Sequence, residues 1–255
     1  ADKPFDQFLT EQLAGDELAA GQGNADPRTD ETLRDQIVAA GFHRLGPVRR
    51  NAGNPEIAFS RNEVLTEMTN AVGTVFLGLT VGCARCHDHF FDPFKQKDYY
   101  RLQAFLAATN EYDSPFVDRA EWAGWKSKTD AINQQIYKLK EESGNASKKR
   151  TAEIRAQIAE LTKQLPPPVP TLFSVQNESE KRSPVHLLNR GDDTLRIGEA
   201  LGMRFPGVLI AEGTAELAPD SAGPKTRLAE WVTAPGNPLT ARVIVNRVWQ
   251  YHFGE

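Results

Sequence analysis

Leu77-Gly78-Leu79-Thr80-Val81-Gly82-Cys83-Ala84-Arg85-Cys86-His87-Asp88-His89-Phe90-Phe91-Asp92-Pro93-Phe94 holds both cysteines of the 255-residue chain, two residues apart, with a histidine directly after the second. Cys-x-x-Cys-His is the spacing at which a c-type haem is attached. Thiols one helical turn apart can each add to a vinyl group on the same porphyrin edge, and the next residue then offers its imidazole to the iron. Cys83, Cys86 and His87 are therefore candidate cofactor ligands, and Arg85 stands where it could pair with a propionate.

The same residues allow other chemistry. Cys83, Cys86, His87 and His89 could hold zinc or iron, with Asp92 as a further ligand. All four nitrogen and sulfur donors fall within seven residues, however, and one short stretch cannot easily surround an ion. A redox Cys-x-x-Cys pair usually sits at a helix start after a strand. Here the residues before it read as the end of an apolar helix. Two buried thiols without a cofactor are the plainest alternative. On a helix, His87 and His89 point about 200° apart, so the two cannot reach one iron from the same side.

Upstream, Ser60 and Glu63 form a capping-box pattern. The helix they open carries Leu65, Met68, Val72, Val75, Phe76 and Leu79 at steps of three and four, and is expected to run straight into the motif. Met68 is a core residue or an axial ligand. Downstream, Asp92-Pro93 breaks the chain, since a residue before proline avoids the α region. A further helix is expected from Gln96 to Thr109. Nearer the N terminus, helices are expected over residues 4–14 and from Thr29 or Asp30 to Gly41, with a loop from Gly15 to Pro27. His43 reads as a surface or C-terminal-turn histidine.

After residue 126 the pattern changes. Ile132, Ile136 and Leu139, then Ile154, Ile158, Leu161 and Leu165, make a narrow apolar seam on two helices that turn at 143–147. Pro166-Pro167-Pro168-Val169-Pro170 follows as a stiff extended stretch. Short strand-like runs lie at 171–175, 185–188 and 205–210, with Arg190-Gly191-Asp192-Asp193 read as a turn and 211–223 as a loop. Lys225 to Thr233 reads as a helix. Asn237-Pro238 starts a last one, whose Val243, Ile244, Val248, Trp249 and Phe253 require a partner surface.

The expected architecture is mainly α. An irregular helical domain with the Cys-x-x-Cys-His motif covers 1–125 and a helical hairpin insertion 126–165. A β-containing segment covers 166–223, and 224–255 is the truncated helical start of a following domain. A net charge of −4 gives no electrostatic footprint for nucleic acid. No apolar run reaches the roughly 18 residues that a membrane span needs. The chain opens without a signal peptide, as expected of a fragment of a longer protein. No Ser-His-Asp spacing, phosphate-cradling glycine loop or Rossmann fingerprint is present.

Gly78-Leu79-Thr80-Val81-Gly82-Cys83-Ala84-Arg85-Cys86-His87-Asp88-His89, with Phe91-Asp92-Pro93 and Asp98-Tyr99-Tyr100, resembles the planctomycete-type cytochrome-c-like domain of unknown function. The resemblance spans residues 1–110 and includes Ala14-Gly15-Asp16 and Ala40-Gly41-Phe42. Asn237-Pro238-Leu239-Thr240-Ala241-Arg242-Val243, Asn246-Arg247-Val248-Trp249-Gln250 and His252-Phe253-Gly254 resemble the opening of a second family that accompanies the first in large secreted proteins. One departure is Phe90, where such proteins usually carry lysine.

Three functions follow as expectations. The first is electron transfer in a larger exported bacterial protein, at the periplasm or cell surface. Haem c would sit on Cys83 and Cys86 with His87 as proximal ligand, and the partner would be a redox protein or adjoining domains of the same chain. Its sixth ligand is Met68, Met203, His186 or His252, or the position is open. The second is an enzyme or structural module with zinc or iron, with Asp88 and Asp92 moving protons. The third is a scaffold or carbohydrate-associated module of a surface protein.

Overall fold

The computed structural model describes residues 2–23, 25–46, 54–144 and 147–254, without the side chains of 54–60. It is mainly helical, as the periodicity predicts, with two small two-stranded sheets. The chain divides into two units, one of residues 1–23, 35–113 and 173–255, the other of 24–34 and 114–172.

In the first unit, α1 (Phe5–Ala20) outruns the expected helix by six residues. Gly15 marks a close approach rather than an end. A Cβ there would lie 2.1 Å from the Gln36 carbonyl oxygen on α2 (Glu31–Ala40), so only glycine lets the two backbones meet. At the start of α2 the Asp30 carboxylate accepts from the Leu33 amide at 2.9 Å, an N-cap. Past its end, the 3₁₀ turn Gly41–Arg44 carries His43 inward, not to the surface as its position in the sequence suggests. His43 is 4 % exposed, and its Nε2 donates to the Leu13 carbonyl at 2.9 Å.

α7 (Pro224–Thr233) packs against α1. The Glu17 carboxylate takes the first amides of α7, from Lys225 at 3.1 Å and Thr226 at 2.8 Å, and also accepts from the Thr226 hydroxyl. A carboxylate at a helix N-terminus is favoured both as acceptor and as charge. Beside it the Lys225 ammonium meets Asp16 at 2.7 Å, and both side chains are buried, at 0 % and 6 % exposure.

Burial, together with the Lys225 charge, lowers the His43 pKa to about 4. The ring is thus neutral when folded and protonates more readily when unfolded. Stability from this group is complete above the unfolded value near 6.5 and is lost as pH falls towards 4. The loss approaches about 3 kcal/mol. The urea midpoint of the protein is expected to fall through that window. In a His43→Gln variant the fall should be smaller, which a pH series of urea unfolding curves would check.

α3 (Asn54–Ala71) begins six residues before Ser60, so the expected capping box is not its start; the side chain of Ser60 lies outside the described residues. Nor does this helix run into the cysteine motif. Val72–Leu77 forms a π turn, and Gly78 leaves it in the left-handed region at φ +63°. The turn exposes carbonyls that a straight helix would consume. Arg247 of α8 (Thr240–Phe253) covers two of them, donating to Val75 O at 2.6 Å and Thr74 O at 2.8 Å. The partner surface that α8 needs is therefore partly this turn. Val245, Val248, Trp249, Tyr251 and Phe253 remain exposed. α8 starts at Thr240 rather than at Pro238, because the Asn237 side chain accepts from the Leu239 amide and closes a turn first.

α4 (Gln96–Ala104) stops five residues short of Thr109. The carbonyls that would carry it on are taken by tertiary partners. Ala104 O accepts from Arg182, Ala107 O from Arg61 and the Ser183 amide, and Ala108 O from the Glu178 amide. Phe105 to Ala108 are buried on all sides, which a helix with one solvated face could not achieve. The chain instead enters β1 (Thr109–Pro115), an unexpected strand paired with β2 (Thr171–Asn177). β3 (Leu187–Leu188) pairs antiparallel with β4 (Arg196–Ile197), Leu187 opposite Ile197. The run 205–210 forms no strand but a short 3₁₀ turn at Gly207–Leu209. Leu13, Val72, Phe76, Leu77, Tyr99, Leu102, Phe105 and Leu228 belong to one core.

In the second unit α5 (Arg119–Gly144) and α6 (Lys148–Lys163) pack as the expected hairpin. Ile136 and Ile154 are buried and the other seam residues half-buried, while the remaining faces are largely exposed. The turn is tied by Arg150 to Glu142 at 2.8 Å. At the other end Trp125 stacks on Trp122 and donates to Pro167 O at 2.7 Å. Among the described residues no helix is long and apolar enough to cross a membrane.

Candidate functional site

The motif begins on a 3₁₀ turn, Val81–Arg85, whose inward residues are Val81 and Ala84, and Cys86 and His87 follow in a turn and a bend. Val81 packs where a Cβ on Gly73 would be 2.3 Å from its Cγ2, so the π turn and the motif interlock. Cys83, Cys86 and His87 face outward and are exposed, the two thiols free.

The turn is held from below. The Arg85 carbonyl accepts from Gln96 Nε2 at 2.9 Å and Tyr100 Oη at 2.8 Å. Burial pushes the Tyr100 phenol up, which keeps it a donor. The Arg85 guanidinium donates to Glu63 at 2.9 Å and to Gly191 O at 3.3 Å, so its partners are protein groups. Cys86 Sγ donates to Arg190 O at 3.2 Å. Arg190 and Gly191 both have positive φ, and a Cβ on Gly191 would stand 3.1 Å from that sulfur. Arg190 and Gly191 of the stretch read as a turn thus cradle the motif. Gln96, Tyr100, Arg190 and Gly191 were not legible as site residues, since only the glycine carried any local signal.

The two histidines are used differently. His87 Nδ1 lies 2.6 Å from the Asp88 carbonyl. A proton on Nδ1 makes that bond and leaves Nε2 with its lone pair. His89 has only 5 % of its side chain exposed, and both of its nitrogens are bonded. Nδ1 accepts from the amides of Asp92 at 2.9 Å and Phe91 at 3.3 Å, and Nε2 donates to Thr80 Oγ1 at 3.0 Å. With Nδ1 accepting, the Asp92 carboxylate 3.4 Å away is a neighbour and not an ion-pair partner. Asp88 accepts from the Gln96 amide at 2.9 Å and from Lys95 at 3.0 Å, and the first of these bonds is the main reason its pKa is lowered.

His89 is therefore the clip of the 87–94 loop, with buried Phe94 as its apolar anchor. Replacing His89 by alanine is expected to cost about 2 kcal/mol, from three lost bonds in a partly desolvated site. Chymotrypsin should then cut at Phe90 and Phe91 far faster. A urea unfolding curve and a timed digest measure the two effects.

The other candidate ligands are dispersed. Met68 is 4 % exposed and lines a cavity of about 200 Å³ with Phe42, His43 and Val64. Met203 is fully buried and bridges to Leu217. His186 Nδ1 is 3.3 Å from Gly198 O, and His252 is exposed near Phe253. Among the described residues no three His, Cys, Asp or Glu side chains gather as a metal site. Phe90 and Phe91, 82 % and 87 % exposed, pack edge to face on the loop that follows the motif.

Residues 1–111 match the family model PSCyt2, protein of unknown function (DUF1549). Residues 224–255 match PSD1, protein of unknown function (DUF1553). No curated protein and no solved structure matches the chain. The structure shows how the two matched segments meet. Asp16 and Glu17 of the first hold the N-terminus of α7 in the second, and Arg247 of the second covers the turn that leads into the cysteine motif of the first. The chain is thus similar to PSCyt2 over residues 1–111 and to PSD1 over residues 224–255, both families of unknown function.

Proposed function

We propose that this chain is an electron-transfer module of a larger exported bacterial protein, carrying one c-type haem on Cys83 and Cys86 with His87 as an iron ligand. The observation that carries the reading is the state of these three side chains. Both thiols are free and exposed at the attachment spacing, and the imidazole keeps Nε2 open by bonding through Nδ1. Imidazoles that ligate metals generally donate their other N–H to a carbonyl or carboxylate, which fixes tautomer and ring orientation. The donor set fits haem c.

A bound haem supplies a one-electron couple tuned by its axial ligands and surroundings. The chain's own residues hold the attachment turn still. Gln96 and Tyr100 fix the Arg85 carbonyl, Arg85 ties the turn to Glu63 and Gly191, and His89 clips the following loop. Arg85 is a positioning residue in this reading. Phe90 and Phe91 offer a redox partner, or an adjoining domain of the same chain, an apolar contact close to the site in sequence. Covalent attachment of haem c would require export, to the periplasm or the cell surface.

Expression with a cytochrome maturation system and export is expected to yield a Soret band and one haem that survives denaturation. Cys83→Ala or Cys86→Ala should reduce attachment to a single thioether, and the double variant should abolish it. His87→Ala should keep the attachment and change the spectrum. Protein without a Soret band, with zinc or iron at one equivalent instead, would overturn the proposal.

A further inference from the structure

A second cavity, away from the cysteine motif, has the chemistry of a ligand site. It has a volume of about 340 Å³ and lies between the 203–205 and 214–217 stretches and α7. One wall is aromatic. Phe205 stacks between Phe105 and Trp231, with ring centroids 5.0 Å and 4.8 Å apart and planes within 12° and 9° of parallel. Such a stack holds the Trp231 ring rigidly at the cavity wall, where an apolar ring can lie against it.

The charged lining is unbalanced. Two arginines, Arg204 and Arg227, line it with one carboxylate, Glu230, which is one turn from Arg227 on α7. Arg204 is half-buried, and its Nε is buried with no hydrogen-bond partner among the described residues. Leaving a guanidinium nitrogen dry and unbonded is costly, unless a further acceptor completes it. Arg227 donates through Nε to Ala222 O at 3.2 Å, which orients its guanidinium at the cavity rim. Guanidinium groups favour planar oxyanions, which they can bind with two parallel bonds.

We infer that the cavity formed by Arg204, Arg227 and Trp231 binds a small ring-bearing carboxylate, its carboxylate on the arginines and its ring on the indole. Neither the haem reading nor the family matches bear on it. The shared chemistry is met by an aromatic acid or a sugar acid, and the test separates them. Calorimetric titration of the full chain uses benzoate and D-glucuronate as probes, with benzyl alcohol and D-glucose as their neutral counterparts. At least one acid is expected to bind and its counterpart not. Benzoate alone marks an aromatic acid, and glucuronate marks a sugar acid.

Arg204→Gln should weaken the binding by about tenfold or more, as expected for loss of a charge-assisted pair. Exposed Arg227→Gln serves as the second variant, with an unchanged far-UV spectrum to show that it is folded, and should weaken binding as well. Failure of both acids to bind, equal binding of the neutral counterparts, or full affinity in both arginine variants would overturn the inference.

Discussion

Replacing Lys225 with alanine is expected to lower the unfolding free energy by about 3–5 kcal/mol, among the largest effects of any single substitution in this chain. The ammonium is fully buried and 2.7 Å from an Asp16 carboxylate that is itself 6 % exposed. Removing it strands a negative charge out of water, a penalty larger than the net value of the intact pair. The double replacement Asp16→Leu with Lys225→Met removes both charges and should cost far less than the sum of the singles. Urea unfolding of the two singles and the double makes a complete cycle, and additive losses would show that the pair is not coupled. The consequence goes beyond stability, because the pair joins the segments similar to PSCyt2 and PSD1. In the single variants, protease sensitivity should rise in α7 before it rises in α5 and α6.

Gly15→Ala should be nearly as damaging, with a loss of about 3 kcal/mol. On a free helix the change would gain about 1 kcal/mol in propensity. Here the new Cβ would come within 2.1 Å of the Gln36 carbonyl oxygen, a backbone atom that cannot swing aside, so α1 and α2 must separate. Gly124, in α5, has nothing within 4 Å of the same position. Gly124→Ala is therefore the matched control and should stabilise slightly. If thermal melts of the two variants moved in the same direction, the close-approach explanation would fail.

Much of the fold is readable because it depends on local periodicity. The apolar seam from Ile132 to Leu165 places itself on one face of two helices whatever else the chain does, and the structure buries its centre at Ile136 and Ile154 and half-buries the rest. The misjudged ends share a cause. At Gly15 a residue that favours helix termination is needed for a neighbour 21 residues on. At Phe105 the helix ends because Arg61, Glu178, Ser183 and Arg182 take its carbonyls. His43 looks like a surface residue until its ring bonds to the Leu13 carbonyl of α1. None of these partners lies within the window of residues that sets local propensity.

At the candidate site the division is the same. Cys83, Cys86 and His87 are visible from spacing alone, because covalent attachment requires adjacency in the chain. The residues that hold them, among them Glu63, Gln96, Tyr100, Arg190 and Arg247, come from four separate stretches. Nor does spacing tell the two histidines apart. One leaves a nitrogen open and the other bonds through both.

By itself the sequence determined which segments are helical and where two thiols and an imidazole stand together, since both are properties of near neighbours. The tertiary structure alone decided which histidine is free, where the helices stop, and how the two family segments lock. Those outcomes depend on which buried donors and acceptors find partners, and the partners arrive from up to about 200 residues away in the chain.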